Sequence, residues 1–273
     1  MNSTALRRFR GKLAAGETAL GLWVTLDAPS VTEIAVGLGL DWVVIDAEHG
    51  HLDWSEIVAH LRAAVRSETV ALVRLAELNG GAIKRALDLG ADGVVIPWME
   101  SPEQLAEAVA CAKYPPEGKR GIGAERATAW GQAFVEHTRE ANDQVLVVPI
   151  LETVTGVRKA AAMAQVPGME LFFFGPADLS ASAGYRGEWE GPGVAQMIDD
   201  AKIVLRQAGK HCGVLAKDNT DLHRRWSEGF RMIGLGTDAA LLIRSLRQGL
   251  GELGRDVTMR AELTPPTSKT ERS

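Results

Sequence analysis

Four polar residues stand at the ends of short apolar runs, and their types are those that do chemistry in α/β enzymes. Asp178 lies in GPADLS (175–180), directly after LFFF (171–174), so a carboxylate and a tight turn follow what reads as a buried strand. His49 follows WVVIDAE (42–48), Arg74 follows VALV (70–73) and Glu152 follows VLVVPIL (145–151). A histidine, with an ordinary pKa near neutrality, suits proton transfer. An arginine supplies a fixed positive charge where negative charge develops. Backbone amides at a turn entering a helix, as at Gly175, Pro176, Ala177 and Asp178, suit an anionic group. Taken singly, each residue also has a structural use: Asp178 can cap the following helix, Glu152 can pair with a neighbouring strand, Arg74 can pair with Glu77, and a lone histidine is commonly structural. Their shared place after strand-like runs predicts one site assembled from distant parts of the chain.

The elements that must position them alternate regularly. Eight β-branched apolar runs begin at Ala19, Trp42, Thr69, Gly93, Gln144, Leu171, His211 and Arg231, and segments of helical period lie between them. Near-continuous apolar runs are expected of parallel strands buried on both faces. Ser30 and Ser101 read as helix N-caps, each followed three residues later by Glu33 or Gln104, with Pro102 at a first helical position. Gly90 and Gly229 read as C-terminal caps. Eight strand–helix pairs predict an α/β fold, a (β/α)8 TIM barrel in one domain over residues 1–254, followed by a polar, disordered tail over 255–273. A doubly wound open sheet is the alternative, but no glycine-rich dinucleotide fingerprint follows the first run. The stretch YPPEGKRGIGAERAT (114–128) is long for a connection and predicts a functional loop above the barrel mouth, with Arg120 and Arg126 available to an acidic substrate. A plain surface excursion is its other reading.

Composition narrows the partners. The chain has 273 residues, 46% of them apolar, and a formal net charge of −5, which gives no broad basic surface for nucleic acid or an anionic membrane. Cys111 and Cys212 are far apart and lack metal-binding or disulfide-framework spacing, which fits a reducing cytoplasm. No apolar run is long enough for a membrane span, and none follows the basic N-terminal residues as a secretory signal requires. A small molecule is the expected partner.

The segments IDAEHG (45–50), VRL (73–75), YPPEGKRGIG (114–123), ILET (150–153) and GPADLS (175–180), in this order and spacing, resemble the HpcH/HpaI aldolase family over roughly residues 6–253. The resemblance implies a (β/α)8 barrel and a class II aldolase that cleaves a 4-hydroxy-2-oxo acid to pyruvate, or hydroxypyruvate, and an aldehyde. An aldolase must stabilise an enolate with either a Schiff-base lysine or a divalent metal. Lys217 is the one lysine near a strand end, whereas Glu152 and Asp178 offer hard oxygen ligands suited to Mg2+, Mn2+ or Co2+. The resemblance assigns the metal to those two carboxylates. It assigns Arg74 to the keto oxygen, Trp23 to the pocket wall, a pairing of Asp88 with His49, and Asp46 to a subunit boundary beside the site. It further implies a homohexamer, a trimer of dimers that exchange the final helix, although Leu241, Leu242, Ile243, Leu246 and Leu250 of that helix are also explained by packing on the barrel. His51 and Trp54 after Gly50 depart from the Ala-Pro-Asn found in several sugar-acid aldolases and leave the aldehyde open. Two other readings are an acyl-CoA lyase of the citrate lyase branch and a catalytically silent 2-oxo-acid-binding barrel. The first would cleave CoA thioesters; the second would show no turnover.

Overall fold

The computed structural model describes residues 2–255. Eight strands occur where the apolar runs predict them: β1 Ala19–Val24, β2 Trp42–Asp46, β3 Val70–Arg74, β4 Gly93–Ile96, β5 Leu146–Leu151, β6 Leu171–Phe174, β7 His211–Leu215 and β8 Met232–Thr237. They pair in parallel, in chain order, and β8 returns to β1 to close a barrel. The helices are α1 Ser3–Ala14, α2 Pro29–Gly37, α3 Trp54–Ala64, α4 Gly80–Asp88, α5 Pro102–Ala112, α6 Phe134–Gln144, α7 Val154–Arg158, α8 Ala160–Met163, α9 Pro176–Ser182, α10 Val194–Gln207, α11 Asn219–Ser227 and α12 Asp238–Glu252. This is the (β/α)8 barrel expected from the alternation.

The barrel interior is filled by large side chains facing glycines. Trp42 of β2 lies against Gly21 of β1 and Gly234 of β8, and a Cβ at Gly21 would overlap the indole. The Trp42 indole N–H donates to the Ala19 carbonyl at 3.2 Å, and Phe173 meets the same ring edge-on at 6.3 Å. Below this layer α1 buries Ala5, Leu6, Phe9 and Leu13 in the same apolar cluster as Trp42, Leu146 and Met232, closing the N-terminal end of the barrel. The basic residues of α1 hold it there. Arg10 forks onto Glu170 at 2.9 and 2.6 Å, and Lys12 reaches Asp41 at 2.7 Å.

The helix signals meet mixed outcomes. Ser101 caps α5, accepting from the Gln104 N–H at 3.2 Å, and Gly90 and Gly229 follow α4 and α11 with φ of 98° and 85°. α2, however, starts at Pro29 with Ala28 at the cap position, so Ser30 lies inside the first turn. Proline at the first helical position needs no N–H partner and has a pre-set φ, which moves the start ahead of the serine.

The loop 114–128 lies at the other end of the barrel from the one expected. It follows α5, which returns from the C-terminal ends of the strands, and precedes α6, which leads into β5. Arg126 donates to the carbonyl of Leu89, just past α4, at 2.6 Å. Arg120 is buried, pairs with Asp88 at 2.7 Å and stacks on Tyr114 at 4.5 Å. Both arginines therefore serve the N-terminal face, because the excursion interrupts a helix-to-strand connection and not a strand-to-helix one.

By contact the chain divides into a barrel unit ending at Asp238 and a C-terminal unit beginning at Ala239. Within the second, Leu242, Leu246 and Leu250 of α12 are exposed at four-residue spacing. The polar tail, 256–273, lies outside the described residues. Among the described residues no helix is long and apolar enough to cross a membrane.

Candidate active site

A cavity of about 210 Å³ opens at the C-terminal ends of the strands. Trp23, Asp46, His49, Arg74, Glu152 and the turn 175–178 all line it, so nearly every site residue expected from sequence converges on one place. Asp88 does not. It is the last residue of α4 and lies about 12 Å of helical rise from the start of that helix, bonded to Arg120 at 2.7 Å. Among the described residues, Glu48 is an acid near the His49 Nε2, at 3.8 Å, and the His49 ring is largely exposed.

Asp46 organises the strand ends. Its carboxylate accepts from Arg74 Nε at 3.0 Å and Nη2 at 2.6 Å, from the Trp23 indole at 2.9 Å, and from the backbone N–H groups of Glu48 and His49 at 2.9 and 3.1 Å. Burial by itself would raise its pKa, yet the Arg74 guanidinium and the two backbone donors hold it below the usual carboxylate value. Arg74 is the matching centre of positive charge: it is buried, its third nitrogen reaches Glu48 at 2.7 Å, and its guanidinium lies 5.2 Å from the Trp23 ring centroid. Guanidinium carries five N–H donors, so the fork onto Asp46 and the contact to Glu48 leave donors for a ligand.

Opposite stands an acidic pair. Glu152, buried just after β5, accepts the Trp98 N–H at 2.7 Å. Burial, reinforced by the nearby Asp178 and Glu48 carboxylates and opposed by the Trp98 bond, pushes its pKa up to about 7. Glu48 is also raised, chiefly by burial. A Cβ at Gly175 would come within 2.7 Å of Glu152 Oε2, so a glycine is required for the carboxylate to lie against the turn. Asp178 sits in the first turn of α9, where its negative charge suits the helix dipole. Carboxylates crowded into a buried space against one arginine are a donor set that a divalent cation would satisfy. Among the described residues no group of three or more His, Cys, Asp or Glu side chains is arranged to hold an ion; Glu152 and Asp178 are the two carboxylates that line the cavity beside the turn. Among the described residues no lysine lines the cavity.

Three contributors were not singled out from sequence. Glu48 lies within IDAEHG and shares the strand-end signal of its neighbours. Trp98 stands two residues beyond β4, the same position in its segment that His49 and Glu152 approach in theirs, but its contribution is a backbone N–H that no residue type announces. Trp189 comes from the segment between α9 and α10, outside any strand run.

A family model described as HpcH/HpaI aldolase/citrate lyase matches residues 19–245. A hydroxypyruvate/pyruvate aldolase of Pseudomonas aeruginosa is 36% identical over 249 residues, covering 90% of this chain and 92% of that protein. A 4-hydroxy-2-oxovalerate aldolase of Novosphingobium aromaticivorans is 35% identical over 248 residues, covering 90% and 94%. Among solved structures, a HpcH/HpaI aldolase/citrate lyase family protein from Burkholderia cenocepacia J2315 superposes with a TM-score of 0.87 at 32% identity, covering 93% of this chain and all of that one. With the barrel, the strand-end site and these matches together, the chain belongs to the HpcH/HpaI aldolase/citrate lyase family.

Proposed function

We propose that the protein is a carbon–carbon lyase of the pyruvate aldolase type, cleaving a 4-hydroxy-2-oxo acid to pyruvate, or hydroxypyruvate, and an aldehyde, and running the reverse condensation. The observation that carries this reading is the juxtaposition of a clamped, buried arginine with the Glu152–Asp178 pair in one small cavity. The names of the relatives agree with it.

In the cleavage direction a proton leaves the 4-hydroxyl, the C3–C4 bond breaks, and its electron pair moves onto the C2 oxygen to give an enolate, which is then protonated at C3. Arg74, fixed by Asp46, directs its remaining N–H groups at the oxygen that becomes negative and needs no reorganisation as charge develops. The amides of Gly175, Ala177 and Asp178 at the α9 start hold the substrate carboxylate. Trp23 forms the floor beside Arg74. His49 moves the proton at the hydroxyl or at the methyl carbon, and its exposure leaves it free to exchange protons with solvent.

Glu152 and Asp178 are suited to a Mg2+, Mn2+ or Co2+ ion as hard oxygen ligands. When bound, such an ion supplies an electron sink for the 2-oxo group. Among the described residues no lysine lines the cavity, which supports the metal route over an imine.

The exposed leucines of α12 support a homo-oligomer, for which the family resemblance suggests a hexamer. In such an assembly Asp88 of one subunit is the candidate partner for His49 of another. Both cysteines are unpaired thiols, in keeping with a cytoplasmic setting. Incubation with 4-hydroxy-2-oxopentanoate and a divalent metal tests the reading: pyruvate and acetaldehyde in equal amounts support it, and their absence across a panel of 4-hydroxy-2-oxo acids overturns it.

A further inference from the structure

The cavity wall contains a large side chain from outside the strands that the aldol chemistry leaves unused. Trp189 belongs to the segment 183–193 joining α9 to α10, and it lines the cavity with Trp23, Phe173 and Leu215. The oxo-acid end is already furnished by Arg74, Glu152 and the turn at Gly175. What a tryptophan adds from a separate loop is apolar bulk, and with it a limit on the space left for the second reactant. The cavity is small, about 210 Å³, so a bulky side chain on its wall competes directly with the second reactant for room.

The segment is built to hold that ring still. On one side of Trp189 the Ser180 hydroxyl donates to the Tyr185 carbonyl at 3.1 Å, and on the other it accepts the Gly191 N–H at 2.9 Å. Gly191 is packed so closely on Tyr185 that a Cβ there would overlap its ring. The next residue, Glu190, is bound by Arg224 at 2.8 Å and by Arg225, both from α11. Arg225 is itself buried, pairs with Asp221 at 3.2 Å and lies 5.6 Å from the Phe230 ring centroid. The Trp189 indole N–H is buried with no hydrogen-bond partner. The ring is therefore positioned by its backbone and by the neighbouring Glu190 tether, not by a bond of its own.

We infer that Trp189 determines aldehyde specificity, admitting short unbranched aldehydes and discriminating against longer ones, and that Glu190 is its positioning residue. The inference rests on the aldolase reading above. It is tested by measuring kcat/KM for condensation of pyruvate with acetaldehyde and with hexanal in the wild type, Trp189→Phe, Trp189→Ala and Glu190→Gln, alongside methyl-proton exchange of pyruvate in the wild type. The acetaldehyde-to-hexanal ratio is expected to fall at least tenfold in Trp189→Ala, and to fall by less in Trp189→Phe and Glu190→Gln. Wild-type exchange together with an unchanged ratio in Trp189→Phe and Trp189→Ala, both melting as cooperatively as the wild type, overturns the specificity role alone. Absence of wild-type exchange with any divalent metal, and of condensation, overturns the aldolase reading and the inference with it.

Discussion

The backbone N–H of Trp98 donates to Glu152 at 2.7 Å, and Trp98 adopts a left-handed φ of 54° while doing so. A bulky residue in that region carries a cost of about 1–2 kcal/mol, and here the cost accompanies a donor aimed at one of the two carboxylates suited to a cation. Trp98→Gly keeps the N–H and removes the strain. It is expected to retain near-wild-type pyruvate exchange with a stability change within about 1 kcal/mol. Trp98→Pro deletes the donor and also forces φ from 54° to about −65°; with a bond to a charged group worth about 1.5–3 kcal/mol, exchange is expected to fall at least roughly tenfold. Equal activities in the two variants would show that the donor does not tune Glu152.

Asp46 fixes Arg74 through a two-point fork, with Trp23 on the same carboxylate. Asp46→Asn removes the charge and one acceptor. Breaking a buried pair costs about 3–5 kcal/mol, less here because Glu48 still reaches the guanidinium. Turnover is expected to drop more than pyruvate affinity does, and Arg74→Lys, which cannot reproduce the fork, is expected to behave alike. Steady-state kinetics with thermal melts check this; a change in KM alone would contradict it.

Phe9 is fully buried in the plug that α1 forms at the N-terminal end of the barrel. Phe9→Ala is expected to cost about 3–5 kcal/mol of stability while leaving kcat of the folded enzyme unchanged, since the site is at the opposite end. Urea unfolding and assays well below the melting temperature separate the two effects. A loss of kcat without a loss of stability would argue against the plug role.

Acid stability is expected to depend on Asp221. Burial opposes its ionisation, but the Lys217 N–H, Arg224 and Arg225 hold its pKa below the usual aspartate value. A folded pKa below the unfolded one, about 3.9, gives stability that is fully present above the unfolded value and is lost as pH falls toward the folded one. Stability should therefore decline below about pH 4, and Asp221→Asn should flatten that decline. Denaturant midpoints taken across the acid range measure it, and identical slopes for both proteins would remove Asp221 from the explanation.

Most of the barrel was legible because two-face burial writes each parallel strand as a continuous apolar run, and Leu171–Phe174 or Leu146–Leu151 admit few other readings. Side chains at strand ends were legible for the same reason: Arg74 and Glu152 interrupt those runs where the barrel opens. What sequence did not reveal depends on direction and on distant loops. The 114–128 excursion carries the composition of a functional loop, but only its place after a descending helix puts it on the N-terminal face. Asp88 was matched to His49 by resemblance, while the chain gives it to Arg120, a contact between α4 and that same excursion. The role of Trp98 is a main-chain donor, invisible to residue type, and Trp189 lies in a segment with no periodic signal.

The most direct measurement is methyl-proton exchange of pyruvate in heavy water, followed by NMR, with EDTA-treated protein and after restoring Mg2+, Mn2+ or Co2+. Exchange is expected only with metal, and it should be lost in Glu152→Gln and in Asp178→Asn while both variants remain folded. Undiminished exchange in the presence of EDTA, or in either folded variant, would contradict the assignment of enolate chemistry to a cation held by those two carboxylates.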